Sequence, residues 1–117
     1  MVKRKLAPKE VLILMGHDSK EMYYLESGQL EAFSYGEDER ISLGFIDPGE
    51  LVGESSLILG AARSATVEAV VESEVLAIDP EAYQKVQQSQ HPWIAALIKT
   101  LIKRIQKLNK RLLGMGP

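Results

Sequence analysis

Hydrophobic and polar positions follow one pattern up to about residue 78 and a different one beyond it. From Val11 to about Ala77, short β-favouring runs alternate with turn residues such as Gly, Pro, Asp and Ser. This alternation predicts an antiparallel sandwich or roll. The runs predicted to be strands are Val11–Leu14, Met22–Leu25, Leu30–Tyr35, Ile41–Ile46, Ala65–Val71 and Val75–Ile78.

The spacing of apolar residues after Ile78 predicts two helices. Asp79 is suited to cap the first helix and Pro80 to open it, and this short helix should reach about Gln88. A longer helix should begin at Pro92 and end near Gly114, because glycine commonly follows the last helical turn. We therefore expect a mainly β fold with C-terminal α structure: a β-roll over residues 1–78 and helices over 79–114.

The longer helix carries a heptad seam, in which apolar residues recur at alternating steps of four and three. Such a seam, sustained over nearly three heptads, favours coiled-coil pairing between two copies of the chain. The alternative is that the helix packs on its own roll. We predict a homodimer through Ile94, Ile98, Leu101, Ile105, Leu108 and Leu112.

Length and composition narrow the class of protein. A chain of 117 residues fits one domain. The absence of cysteine excludes disulfides, thiolate metal sites and cysteine nucleophiles, and two histidines are too few for a histidine-rich metal enzyme of the cupin type. There is no apolar run of about 20 residues and no apolar signal segment at the start, so we expect no membrane span and a cytoplasmic location.

Charge is distributed unevenly along the chain. All 16 acidic residues lie at or before Glu81 together with 7 of the 14 basic ones, so residues 1–81 carry −9 and the remainder +7. A solvated basic helix face explains this asymmetry without a ligand. The alternative is a surface for an acidic partner, lipid or DNA.

Residues 52–66 combine several features that suit an anion. Gly53 permits close approach of the backbone to a ligand, and a helical turn opening at Ser55 and Ser56 would direct free amide groups at a phosphate. Arg63 adds a planar, charged fork that matches phosphate oxygens, and Glu54 adds an acceptor for a sugar hydroxyl. The structural alternative is a plain ion pair between Glu54 and Arg63 that closes a loop.

The order of residues in this segment resembles the phosphate-binding cassette of the cyclic nucleotide-binding domain family. The matching positions are Gly53, Glu54, Leu57, Arg63, Ala65 and Thr66. Ala62 departs from the usual proline before the arginine, and Ser55-Ser56 from a more apolar pair. The resemblance extends over the strand-rich region, through landmarks at Gly16, Tyr24, Gly28 and Pro48-Gly49, and implies an eight-stranded jelly roll. The family usually has a helical segment before the first strand, whereas only a few residues precede the first predicted strand here.

The resemblance also implies a ligand, cAMP or cGMP, and a role for each site residue. Glu54 would accept a hydrogen bond from the ribose 2′-hydroxyl, and Arg63 would pair with the phosphate. Ser64 would add a hydroxyl donor, and Asn109 on the long helix would reach the purine. The backbone amides of the cassette would come from Gly53, Ser55 and Ser56.

No nucleophile and base pair, no carboxylate pair and no metal-ligand cluster is evident, so we expect a ligand sensor that needs no cofactor and is not an enzyme. The sensor would couple nucleotide binding to repositioning of the long helix. One alternative is a degenerate module that keeps the fold only for dimerisation or docking. Another is the sensor half of a transcription regulator, in which nucleic acid would be a partner only through a DNA-binding domain outside this sequence.

Overall fold

Eight strands form two antiparallel four-stranded sheets in the first of two compact units, Met1–Ala82. The computed structural model describes residues 1–89 and 91–112, except for the side chains of residues 109, 111 and 112. One sheet has the order β1-β8-β3-β6 and the other β2-β7-β4-β5. The strands are β1 Val2–Leu6, β2 Val11–Ile13, β3 Met22–Ser27, β4 Leu30–Tyr35, β5 Arg40–Ile46, β6 Leu51–Val52, β7 Thr66–Ala69 and β8 Ser73–Ile78.

This architecture confirms the predicted antiparallel β fold with C-terminal helices. All six predicted strands are present, although β7 is shorter at both ends than the predicted run. Two strands were not predicted. The sequence of β1 is largely basic and only Leu6 is buried, while β6 has two residues, so neither shows the alternation of a half-buried strand.

The core is built from inward-facing residues of both sheets. Leu25 and Val75 come from neighbouring strands of one sheet, and Leu30 and Ala69 from neighbouring strands of the other; all four are fully buried. Successive side chains of a strand point to opposite faces, so each strand can supply alternate residues to this core. The two sheets thereby hold the loops that connect their strands in a defined position.

Three helices complete the described chain: α1 Glu54–Leu59, α2 Pro80–Gln88 and α3 Pro92–Leu112. The start of α2 confirms the sequence prediction, because Oδ1 of Asp79 accepts a hydrogen bond of 2.8 Å from the amide of Ala82. The predicted end of α3 near Gly114 lies outside the described residues. No helix in the described part of the chain is both long and apolar enough to cross a membrane.

The second unit begins at Tyr83 and contains most of α2 and all of α3. Along α3, apolar side chains of the predicted seam are 38–56% exposed: Ile98, Leu101, Ile105 and Leu108. Ile94 is half-buried, and the side chain of Leu112 is outside the described set. The helix therefore presents a continuous apolar stripe to its surroundings.

Candidate functional site

The segment between β6 and β7 contains α1, a short helix bounded by two glycines. Gly53 precedes the helix with φ 83° and Gly60 follows it with φ 70°, both in the left-handed region that favours glycine. Within residues 1–89 and 91–112, no described side chain caps the N-terminus of α1. The first-turn amides therefore have no side-chain acceptor among the described residues.

Arg63 is nearly buried, with 5% of its surface exposed. Its Nη1 donates to the carbonyl oxygen of Gly53 at 3.1 Å, and its Nη2 donates to the carbonyl oxygen of Glu21 at 2.5 Å and to Oγ of Ser19 at 3.3 Å. The buried Nε has no hydrogen-bond partner among the described residues. The described acceptors that hold this guanidinium are therefore all uncharged.

The alternative of a structural ion pair between Glu54 and Arg63 does not hold. Across residues 1–89 and 91–112, no carboxylate lies within 4.0 Å of a guanidinium nitrogen of Arg63. Burial lowers the pKa of Arg63, and the more distant charges of Tyr23, Glu21 and Glu54 oppose that shift. An arginine nevertheless stays protonated at neutral pH, so the site contains a buried positive charge that lacks an anionic partner in the described part of the chain.

The other predicted site residues differ in their exposure. Ser56 is buried, Glu54 and Ser55 are half-buried, and Ser64 is exposed. The fold thus brings Gly53 into direct contact with Arg63 and places the first turn of α1 beside them, while Ser64 lies at the surface. Asn109 belongs to α3, and its side chain lies outside the described set.

Ser19 and Glu21 were missed by the sequence prediction. Both lie in the loop between β2 and β3, more than 40 residues from Arg63. The carbonyl group of Glu21 carries no sequence signal, because every residue has one. Nothing in the local sequence pattern links Ser19 to the cassette.

Comparison with known proteins places the chain in a family. The cyclic nucleotide-binding domain family matches residues 3–90, and the chain belongs to this family. A cAMP-dependent protein kinase regulatory subunit from Pyricularia oryzae is 34% identical over 83 residues, which cover 71% of this chain and 21% of that protein. The Cyclic AMP receptor protein of Thermus thermophilus is 36% identical over 83 residues, covering 68% of this chain and 38% of the relative. The chain thus spans less than half the length of these relatives.

Solved structures show the same fold. The catabolite activator protein of Thermus thermophilus matches with a TM-score of 0.78 and 26% identity, covering 95% of this chain and 53% of that one. The EAL enzyme Bd1971 in its cGMP-bound form matches with a TM-score of 0.82 and 20% identity, covering 97% of this chain and 30% of the enzyme. These likenesses confirm the predicted fold class. The family match over residues 3–90 confirms the resemblance drawn from the cassette.

Proposed function

We propose that this chain is a regulatory domain that binds a cyclic nucleotide, cAMP or cGMP. The observation that carries the proposal is the buried Arg63, whose acceptors among the described residues are all neutral and whose Nε has no partner among them. A charge in that setting is stabilised by an anion that accepts its remaining hydrogen bonds. Solved relatives with the same fold include forms bound to cAMP and to cGMP, which supports this class of ligand.

In this proposal, the cassette residues bind different parts of the nucleotide. Arg63 pairs with the cyclic phosphate, and the carboxylate of Glu54 accepts a hydrogen bond from the ribose 2′-hydroxyl. Backbone amides of Gly53, Ser55 and Ser56 donate to phosphate oxygens, since no described side chain caps α1. The Ser64 hydroxyl adds a further donor from the exposed side of the segment.

Signalling requires that the nucleotide favour one arrangement of α3 over another. A ligand shifts such an equilibrium only by its differential affinity for the two arrangements, typically about 1–3 kcal/mol. The amide of Asn109 both donates and accepts, and it is the proposed contact of α3 with the purine. Replacing it by alanine should weaken nucleotide binding by roughly the 1–2 kcal/mol of one hydrogen bond; an unchanged affinity would remove Asn109 from the site.

The same proposal includes a homodimer formed through α3. A helix of 21 residues is about 30 Å long, and its exposed apolar stripe is typical of a surface that a partner covers. A second copy presents the same stripe, so the two helices can interdigitate. The main alternative function is a domain that no longer binds a nucleotide and serves only for dimerisation or docking. The association through α3 would also persist in such a domain.

Titration calorimetry with cAMP and with cGMP tests the ligand assignment. Wild type should release or absorb heat with at least one of them, and Arg63→Ala should weaken binding by roughly 3–5 kcal/mol, because the phosphate charge loses its buried partner. Arg40→Ala is a matched control, since Arg40 binds Glu31 and Glu68 and contacts no cassette residue in the described contacts. No heat from wild type, or equal affinity for Arg63→Ala, would overturn the assignment.

A further inference from the structure

The loop between β2 and β3 determines how Arg63 is held. The backbone of Arg63 makes two hydrogen bonds with this loop, from the amide of Gly16 at 2.9 Å and to the carbonyl oxygen of His17 at 3.1 Å. Its side chain makes two more, to Ser19 and Glu21. Only the bond to Gly53 comes from the cassette itself. The loop therefore contributes at least as much to the orientation of the guanidinium as the cassette does.

The hydrogen bonds of the guanidinium differ in length and in the atoms they occupy. A guanidinium has five N–H donors, and Nε and Nη2 share one edge that can bind two oxygens of an anion side by side. Nε has no partner among the described residues, whereas Nη2 is bound to the Glu21 carbonyl at 2.5 Å and to Ser19 Oγ at 3.3 Å. An incoming oxygen that uses this edge competes most easily with the longer bond, that of Ser19.

We propose that Ser19 is a further phosphate ligand of this site. This inference rests on the proposed nucleotide-binding function. When a phosphate oxygen binds Nη2, the Ser19 hydroxyl stops accepting from Arg63 and donates its O–H to that oxygen. A hydroxyl can make this exchange by rotation because it both donates and accepts. Ser19 is exposed, so a ligand can reach its hydroxyl from solvent.

The same geometry makes position 19 sensitive to charge. A carboxylate there would lie beside Arg63 and take the place of the ligand phosphate. The neighbouring Lys20 is already engaged, because its Nζ binds Oδ1 of Asp18 at 2.9 Å and the carbonyl oxygen of Gly60 at 3.1 Å. A negative charge at Ser19 would thus act mainly on Arg63 and repel the nucleotide.

The test combines titration calorimetry with ³¹P NMR of bound cAMP, or of cGMP if that is the nucleotide bound, on the full chain. Ser19→Ala should weaken binding about five- to tenfold, the equivalent of one hydrogen bond, while Ser19→Thr should retain the affinity within about twofold. Ser19→Asp should bind more weakly than Ser19→Ala. The ³¹P resonance of the bound nucleotide should shift in Ser19→Ala, because the phosphate has lost a donor.

Ser27→Ala is the matched serine control, since Ser27 is an exposed residue at the far end of β3, about 20 Å along the strand direction from Glu21. It should match wild type in affinity and in ³¹P shift. Wild-type affinity and an unchanged ³¹P shift for Ser19→Ala, with nucleotide still bound by wild type, would overturn this inference alone. Equal losses of nucleotide affinity in Ser19→Ala and Ser19→Thr, together with a lowered melting temperature, would show that Ser19 only stabilises the fold. That result would also overturn the inference. Absence of binding by wild type would overturn both the inference and the proposed function.

Discussion

The guanidinium of Arg63 occupies the space that a side chain at Gly53 would need. A Cβ added to Gly53 would lie 2.7 Å from Nη1 of Arg63, and the Gly53 carbonyl oxygen accepts a hydrogen bond from that same nitrogen. The residue that opens α1 and the arginine that follows the helix are therefore in direct contact. Glycine is needed at this position both for its positive φ and for the close approach of Arg63.

Replacing Gly53 by alanine should damage the nucleotide site more than the fold. The left-handed conformation costs an alanine about 1–2 kcal/mol, which lowers stability, and the added methyl group also displaces the guanidinium. Gly49→Ala separates these effects, because Gly49 has φ 94° with no atom of the described residues within 4 Å of an added Cβ. Denaturant unfolding should show a loss of stability in both variants, and calorimetry should show a loss of nucleotide affinity only in Gly53→Ala. Equal affinities would mean that Arg63 accommodates the methyl group without moving from its binding position.

Charges placed in the α3 seam should separate the proposed dimer. Leu101 and Leu108 are 48% and 56% exposed, so their replacement by lysine should leave each protomer folded while burying charge in any helix pair. Sedimentation velocity should show a dimer for wild type and a monomer for the double variant. Ala96→Lys with Thr100→Lys is the control, since both residues are exposed outside the seam, and it should remain dimeric. A monomeric wild type at micromolar concentration would contradict the proposed dimer.

Alkaline pH should destabilise the fold through Tyr23. Tyr23 is 3% exposed, and its burial is the main cause that raises the pKa of its phenol above 10.0. The charge of Glu21 raises this pKa further, whereas Arg4 and Arg63 lower it. Because the folded pKa exceeds the unfolded one, the stabilisation is fully present below about pH 10 and is lost as pH rises through the folded pKa. Between about pH 8 and about pH 11, wild type should lose more free energy of unfolding than Tyr23→Phe does.

Tyr35→Phe provides the comparison for this experiment, because Tyr35 is 60% exposed and its phenol lies at the surface. Lysine deprotonation affects all three proteins alike, so the difference between each variant and wild type isolates the phenol. Equal losses in wild type and Tyr23→Phe would show that burial of this phenol does not contribute to alkaline unfolding.

A charge cluster on the sheet that contains β4, β5 and β7 shows why some contacts cannot be predicted from the sequence. Glu31 and Glu68 face each other across β4 and β7, an arrangement of like charges that is unfavourable by itself. Arg40 lies between them, at 2.7 Å from one carboxylate and 2.8 Å from the other, and its guanidinium is 3.5 Å from the ring centroid of Phe33. Only the register of three strands brings these residues together.

The sequence by itself determined those features whose cause is local. Alternating β-favouring runs predicted six strands, and Asp79 and Pro80 predicted the start of α2. The anion site expected from the order of residues between Gly53 and Arg63 stays a prediction. The tertiary structure alone decided that basic β1 is a strand, since its ladder partner is β8, some 70 residues away. It also decided that Ser19 and the Glu21 carbonyl hold Arg63. Backbone acceptors are identical in every residue, and strand register is set by packing over long sequence separations, so neither leaves a local pattern.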